Sequence, residues 1–165
     1  MESYIYINGQ KIRLSEGQTK IITNTVGLFN NPFNRCNENE IYYYIDIFGD
    51  VHATRELNRS EDVARYNNVN YFTDKEVAEQ VALHQLLYRK LLKYSYDNGA
   101  VDEVWDGKTK HYRVLHDEAY NGYGCDVSLY QKNFGEVYFS NSDVAQQAIK
   151  DVIEPFLKKH PDFKW

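Results

Sequence analysis

One short pattern occurs twice in this chain, and it limits the possible folds more than any other feature. Asn70-Tyr71-Phe72-Thr73-Asp74-Lys75-Glu76-Val77-Ala78-Glu79-Gln80 and Val137-Tyr138-Phe139-Ser140-Asn141-Ser142-Asp143-Val144-Ala145-Gln146-Gln147 share Tyr-Phe, Val-Ala and a final Gln in register, about 67 residues apart. Thr73 and Ser140 occupy the same slot, and each hydroxyl is suited to capping a helix N-terminus. A duplicated strand–cap–helix unit is therefore expected.

The helices that follow are legible from periodicity. Val144, Ala145, Ala148, Ile149, Val152, Ile153, Phe156 and Leu157 form one apolar stripe from about 142 onward. Pro155 lacks the N–H that would bond residue 151, so a kink or a last turn is expected there, with His160-Pro161 as the stop. Phe163 and Trp165 need somewhere to dock if that segment is ordered. In the first copy, Thr73-x-x-Glu76 reads as a capping box and Asn98-Gly99 as a C-terminal stop, giving a helix over about 74–96. Its apolar arc runs from Val77 to Tyr94 and is wide enough to pack against more than one neighbour.

The strands precede these helices. Tyr4 to Leu14 reads as a hairpin turning at Asn8-Gly9, a pair that accepts a type I′ turn. Ser15-x-x-Gln18 has capping-box spacing for a short helix over about 16–24. Residues 30–40, Asn-rich with Pro32, read as a linker, and 57–68 as a polar loop. Ile41–Ile47 and Val51–Glu56 are paired strands around Phe48-Gly49-Asp50, with a short strand over 69–72. His111–Leu115 and Asp126–Tyr130 pair through a turn at Asn121-Gly122, and Glu136–Phe139 leads into the last helix. Together these predict an α+β fold of two duplicated ββ(β)α units, each an antiparallel sheet covered by a helix, plus an N-terminal hairpin and short helix. The expected spans are 1–35 for the appendage, 36–100 for the first unit and 101–165 for the second.

Composition narrows the function classes. Hydrophobic residues at 42% and charged residues at 26% fit a globular domain. A formal net charge of -5 gives no general attraction for nucleic acid, so a local basic patch would be needed. Residues 1–4 show no leader pattern and no apolar run reaches a membrane span, so a cytoplasmic protein is expected. Cys36 and Cys125, the only cysteines, suit buried free thiols rather than a disulfide or zinc framework. Tyr, at 15 residues, is unusually frequent; strands favour it, and so do protein interfaces.

No P-loop, dinucleotide fingerprint, nucleophile elbow or metal-spaced histidine pair occurs in the sequence. His111 and His116 have odd spacing and should face opposite sides of one strand. His116-Asp117-Glu118 is the best acid–base cluster, and an enzyme would require it to meet Cys125 or a metal. Neither a catalytic site nor a metal or other cofactor is expected. Two constellations suit binding. Asp102, Glu103, Asp106, Asp117 and Glu118, interleaved with Trp105, Tyr120 and Tyr123, suit docking on a basic, nucleic-acid-binding surface of another protein. Lys75, Arg89, Lys90 and Lys93 on one side of the first helix are the alternative, a phosphate-binding face.

The order of motifs carries a likeness. A "YYYI-x-x-x-G" strand, "NYFT-x-KE" opening a Leu-rich helix, a Trp-Asp loop, "G-x-VYF-x-x", "VAQQAI" and "HPDFKW" together resemble small bacteriophage and prophage proteins of Gram-positive hosts, most clearly over 40–165. The resemblance implies a phage accessory protein acting in the host cytoplasm by binding a host protein. An RNA-guided nuclease is the leading target, which makes the chain anti-CRISPR-like and non-enzymatic. Direct nucleic-acid binding, a small-ligand sponge and a structural homo-oligomer are the alternatives; no membrane partner is expected.

Overall fold

A computed structural model describes residues 4–7, 9–26, 31–100, 105–119 and 122–165. It is an α+β protein, with three separate two-stranded sheets among the described residues. β1 (Tyr4–Ile7) pairs antiparallel with β2 (Gln10–Arg13), Tyr4 opposite Arg13, and Gly9 takes the positive φ of the turn. Asn8, the other turn residue expected, lies outside the described residues. α1 (Glu16–Val26) opens with the capping box read from sequence: Ser15 N–H donates to Gln18 Oε1 and Gln18 N–H to Ser15 Oγ.

β3 (Ile41–Ile45) and β4 (Val51–Arg55) form the second sheet. Their turn is locked, because Asp46 Oδ1 accepts the N–H groups of both Phe48 and Asp50, and Gly49 has φ +94°. α2 (Ser60–Asn67) corrects the expectation of a loop over 57–68. Few apolar residues mark it. Its start is instead set by Asp62, whose Oδ2 accepts from Leu57 N–H and Arg59 N–H. It ends with Asn70 N–H bonded to Arg65 O and Val69 N–H to Tyr66 O, a Schellman closure that forces Val69 to φ +55°.

α3 (Lys75–Asp97) closes in the same way, with Ala100 N–H on Ser95 O and Gly99 at φ +82°. β5 (His111–Asp117) pairs with β6 (Gly122–Ser128), His111 opposite Ser128 and Asp117 opposite Gly122. β6 therefore starts earlier than the expected Asp126, and Asn121 lies outside the described residues. α4 (Ser142–Ala148) continues through a π-helical turn (Ile149–Ile153) into α5 (Glu154–Lys159). In that turn Glu154 N–H reaches Ile149 O, so the ladder widens just before Pro155, where a donor is missing.

The repeat has a structural counterpart in two matching bridges. Phe72 exchanges both backbone hydrogen bonds with Tyr43, and Phe139 does so with Tyr112. Each copy thus adds one bridging residue beside a hairpin rather than the strand expected over 69–72 or 136–139. The two hydroxyls were expected to cap the helices. Each donates instead to a distant carbonyl, Thr73 Oγ1 to Pro32 O at 3.2 Å and Ser140 Oγ to Asn98 O at 3.4 Å. Asn141 caps α4, accepting Val144 N–H at 2.9 Å.

The chain forms two compact units, 1–44 with 53–74 and 45–52 with 75–165, which cut it elsewhere than the spans 1–35, 36–100 and 101–165. In the second unit, Leu87 and Leu91 of α3 share one core with Val137, Phe139, Ala145, Ala148, Ile153 and Phe156. The helix that follows the first copy is therefore built into the core of the second unit.

Candidate functional site

The first unit is centred on buried polar groups. Tyr42 and Tyr71 stack with ring centroids 3.9 Å apart and are 0% and 1% exposed. The Tyr42 hydroxyl donates to Asp62 Oδ1 at 2.6 Å and accepts from Arg65 Nη1 at 2.8 Å. Arg65 also covers the Tyr44 ring at 3.7 Å. The Tyr71 hydroxyl donates to Glu56 Oε2, and Arg35 forks onto both Glu56 oxygens at 2.9 Å. Cys36 Sγ lies 2.8 Å from the Tyr71 hydroxyl. Burial pushes the Tyr42 phenol up to about 12, assisted by its bond to Asp62. The bond from Arg35 holds the Glu56 carboxyl below its usual range despite burial. Asp62 also stays low, because donated hydrogen bonds, Tyr42's first, outweigh its desolvation. Every group here has a partner, so the cluster ties 35–36 to 56–71 and makes the expected linker part of the unit.

In the second unit the β5–β6 hairpin distributes the predicted site residues. Asp106 precedes the end at which His111 meets Ser128, while Asp117 and Glu118 lie at the turn end. Six strand steps separate these ends, about 20 Å. The expected acidic constellation is therefore two separate groups among the described residues, because β5 runs between Asp106 and Asp117. Asp102, Glu103 and Tyr120 lie outside the described residues.

At the first end, Trp105 stacks on His111 at 3.8 Å and meets Tyr138 edge-on at 4.9 Å. Asp106 Oδ1 accepts from Lys108 N–H and Thr109 N–H, which hold its carboxyl below the usual range, Thr109's bond contributing most. Behind them Arg113 joins Asp126 at 2.9 Å and Glu136 at 2.6 Å, and the Tyr138 hydroxyl donates to Glu136. Glu136 stays ionised against desolvation through these bonds.

At the turn end, Asp117 and Glu118 are exposed, Asp117 accepting Ala119 N–H. Beside them Tyr123 lies 5.0 Å from the His116 ring and 5.1 Å from Trp165. Phe163 docks on Phe156 and His84, which fixes the segment carrying Trp165. Trp165 remains 46% exposed. A cavity of about 320 Å³ opens under it, lined by His84, Tyr88, Arg113, His116 and Phe163 among others. Of its lining, the sequence singles out His116 and the aromatic pair Phe163 and Trp165 beyond the helix stop.

His111 and His116 point to opposite faces, as their spacing requires. His116 packs at a tilt against the Tyr123 and Trp165 rings, and Asp117 faces the other side of the strand from it. Cys125 and Cys36 are free and half-buried rather than fully buried, and burial raises the Cys125 thiol. Among the described residues, no group of three or more His, Cys, Asp or Glu side chains is placed to hold a metal ion. No helix among them is long and apolar enough to cross a membrane.

Two of the four residues of the alternative basic face, Lys75 and Lys93, are paired with carboxylates on their own helix. Lys75 bonds Glu79 at 2.9 Å, Lys93 bonds Asp97, and one end of the Arg89 guanidinium comes near Gly49. Lys90 and Lys93 line a cleft of about 390 Å³ with Lys159, Asp97 and Asp151.

Comparison with protein-family models, with curated proteins and with solved structures finds no match to this chain.

Proposed function

We propose that this protein is a non-enzymatic, phage- or prophage-encoded binding protein that inhibits a host defence system in the bacterial cytoplasm. It lays an acidic, aromatic surface on the nucleic-acid groove of an RNA-guided nuclease. The observation that carries this reading is the turn end of the β5–β6 hairpin. There, Trp165 is held against Tyr123 and His116 yet is 46% exposed, and Asp117 and Glu118 are exposed at the adjoining strand end, Asp117 on the other face of the strand. A Trp fixed by its neighbours but open to solvent is a suitable anchor, since Trp and Tyr dominate interface energetics. The carboxylates complement a groove lined with Lys and Arg, speeding encounter in a salt-dependent way.

The test is inhibition of target cleavage by a panel of purified nuclease–guide complexes. One or more should lose activity and bind the protein. Asp117→Lys/Glu118→Lys should slow association, and Trp165→Ala should speed dissociation. A panel that cleaves at full rate refutes the function. Inhibition that survives both variants refutes this surface.

A further inference from the structure

The opposite end of the same hairpin has a different character. Residues 130–135 are all exposed, and among them Tyr130 is 78% and Phe134 106% solvent-accessible. The loop carrying them is nevertheless pinned. Ser128 Oγ donates to Gln131 O and accepts Gln131 N–H, Asn133 N–H donates to the Tyr138 hydroxyl, and Asn133 Nδ2 donates to Glu136. The Tyr130 ring lies against Gly107, where a Cβ would come to 2.5 Å from its nearest atom. Gly107 also has φ +73°, a backbone conformation that favours glycine.

Lysines neighbour these rings in the chain: Lys132 lies between Tyr130 and Phe134, and Lys108 follows Gly107, on which Tyr130 rests. Lys108, Lys110 and Lys132 are exposed, and none forms an ion pair among the described residues. Among the described residues the nearby carboxylates are engaged: Asp106 holds backbone N–H groups, and Glu136 and Asp126 share Arg113. Lys132 also lines a cleft of about 280 Å³ with Tyr96, Trp105, His111 and Tyr138.

We propose that this end of the hairpin binds single-stranded nucleic acid, with bases stacked on Tyr130 and Phe134 and phosphates held by Lys108, Lys110 and Lys132. Exposed rings interleaved with lysines are the pattern that tracks a single strand, because every base has a face to stack and every linkage a charge. A duplex keeps its base faces stacked internally and offers these rings nothing. A protein partner fits less well, since lysine is depleted at protein interfaces. The inference does not depend on nuclease inhibition, which uses the other end.

The test is fluorescence anisotropy with labelled RNA and DNA single strands of about 12 nucleotides, and with a duplex of the same sequence. Both single strands should bind at low salt, or one of them should if a 2′-hydroxyl is read. The logarithm of affinity should fall with that of salt at a slope of about −2, as expected for three lysines on a single strand. Phe134→Ala and Tyr130→Ala should each weaken binding between about 5- and 150-fold. Lys108→Gln/Lys110→Gln/Lys132→Gln should flatten the salt slope. Phe134 is fully exposed, so its variant keeps the wild-type melting curve and its effect is read as binding. No single-strand binding at about 50 mM salt, equal affinity for the duplex, or unaltered binding by both ring variants overturns the proposal. So does binding that is lost only when Lys75, Arg89, Lys90 and Lys93 are neutralised.

Discussion

Replacing Tyr42 by Phe removes one oxygen and tests the buried network of the first unit. The ring stack on Tyr71 survives the change, so the perturbation is polar. Two hydrogen bonds go, one to Asp62 Oδ1 and one from Arg65. Arg65 is 27% exposed and recovers water, whereas Asp62 at 4% cannot. Hydrogen bonds to charged groups are each worth about 1.5–3 kcal/mol, and most of the Arg65 share is returned by solvent. The expected loss is therefore about 2 kcal/mol at pH 7, or about 4–8 °C in melting temperature for a chain of this size. The pH dependence gives a second check. Asp62 is depressed below its usual 3.8, so its stabilisation is present above that value and is lost as pH falls through the folded pKa. Tyr42 is raised from 10 to about 12, so its contribution is complete below pH 10 and is lost as pH rises through about 12. The gap between wild type and variant should be flat from about pH 4 to 10 and narrow on both sides. Urea denaturation followed by far-ultraviolet circular dichroism at several pH values reads this directly. A loss under about 0.5 kcal/mol, or one unchanged from pH 3 to 11, would show that the Tyr42–Asp62 bond does not support the unit.

Two further substitutions test local features. Val69 is β-branched, 62% exposed and held at φ +55°, so Val69→Gly should raise stability by about 0.5–1 kcal/mol in denaturant melts; a loss would contradict the strain at this helix end. Asn141→Ala should cost about 1 kcal/mol and Ser140→Ala clearly less, because Asn141 caps α4 and Ser140 makes only a 3.4 Å contact; the reverse order would restore the hydroxyl as the cap.

How much could be read from the chain depends on how far apart the interacting groups lie. The Ser15/Gln18 box, the stop at Gly99 and the β1–β2 hairpin depend on neighbours a few positions away, and the sequence shows all of them. Thr73 looked like a cap from its neighbours alone, but its hydroxyl bonds Pro32, 41 positions back. α2 escaped notice because its anchor is Asp62, a carboxylate whose burial requires Tyr42 from 20 positions away. Tyr130 and Phe134 gave no signal, since an exposed ring and a core ring are the same letter until packing separates them.

Taken alone, the sequence determined the class: hairpins and amphipathic helices in α+β order, with a pattern that recurs as the Tyr43–Phe72 and Tyr112–Phe139 bridges. Tertiary structure decided which helix joins which core, that Asp106 and Asp117 lie at opposite ends of β5, and that Glu56 and Asp62 are buried charges with partners. The physical reason is that local periodicity fixes which face of an element is apolar. Desolvating a charge or a ring depends instead on groups that only the folded chain brings within a few ångströms.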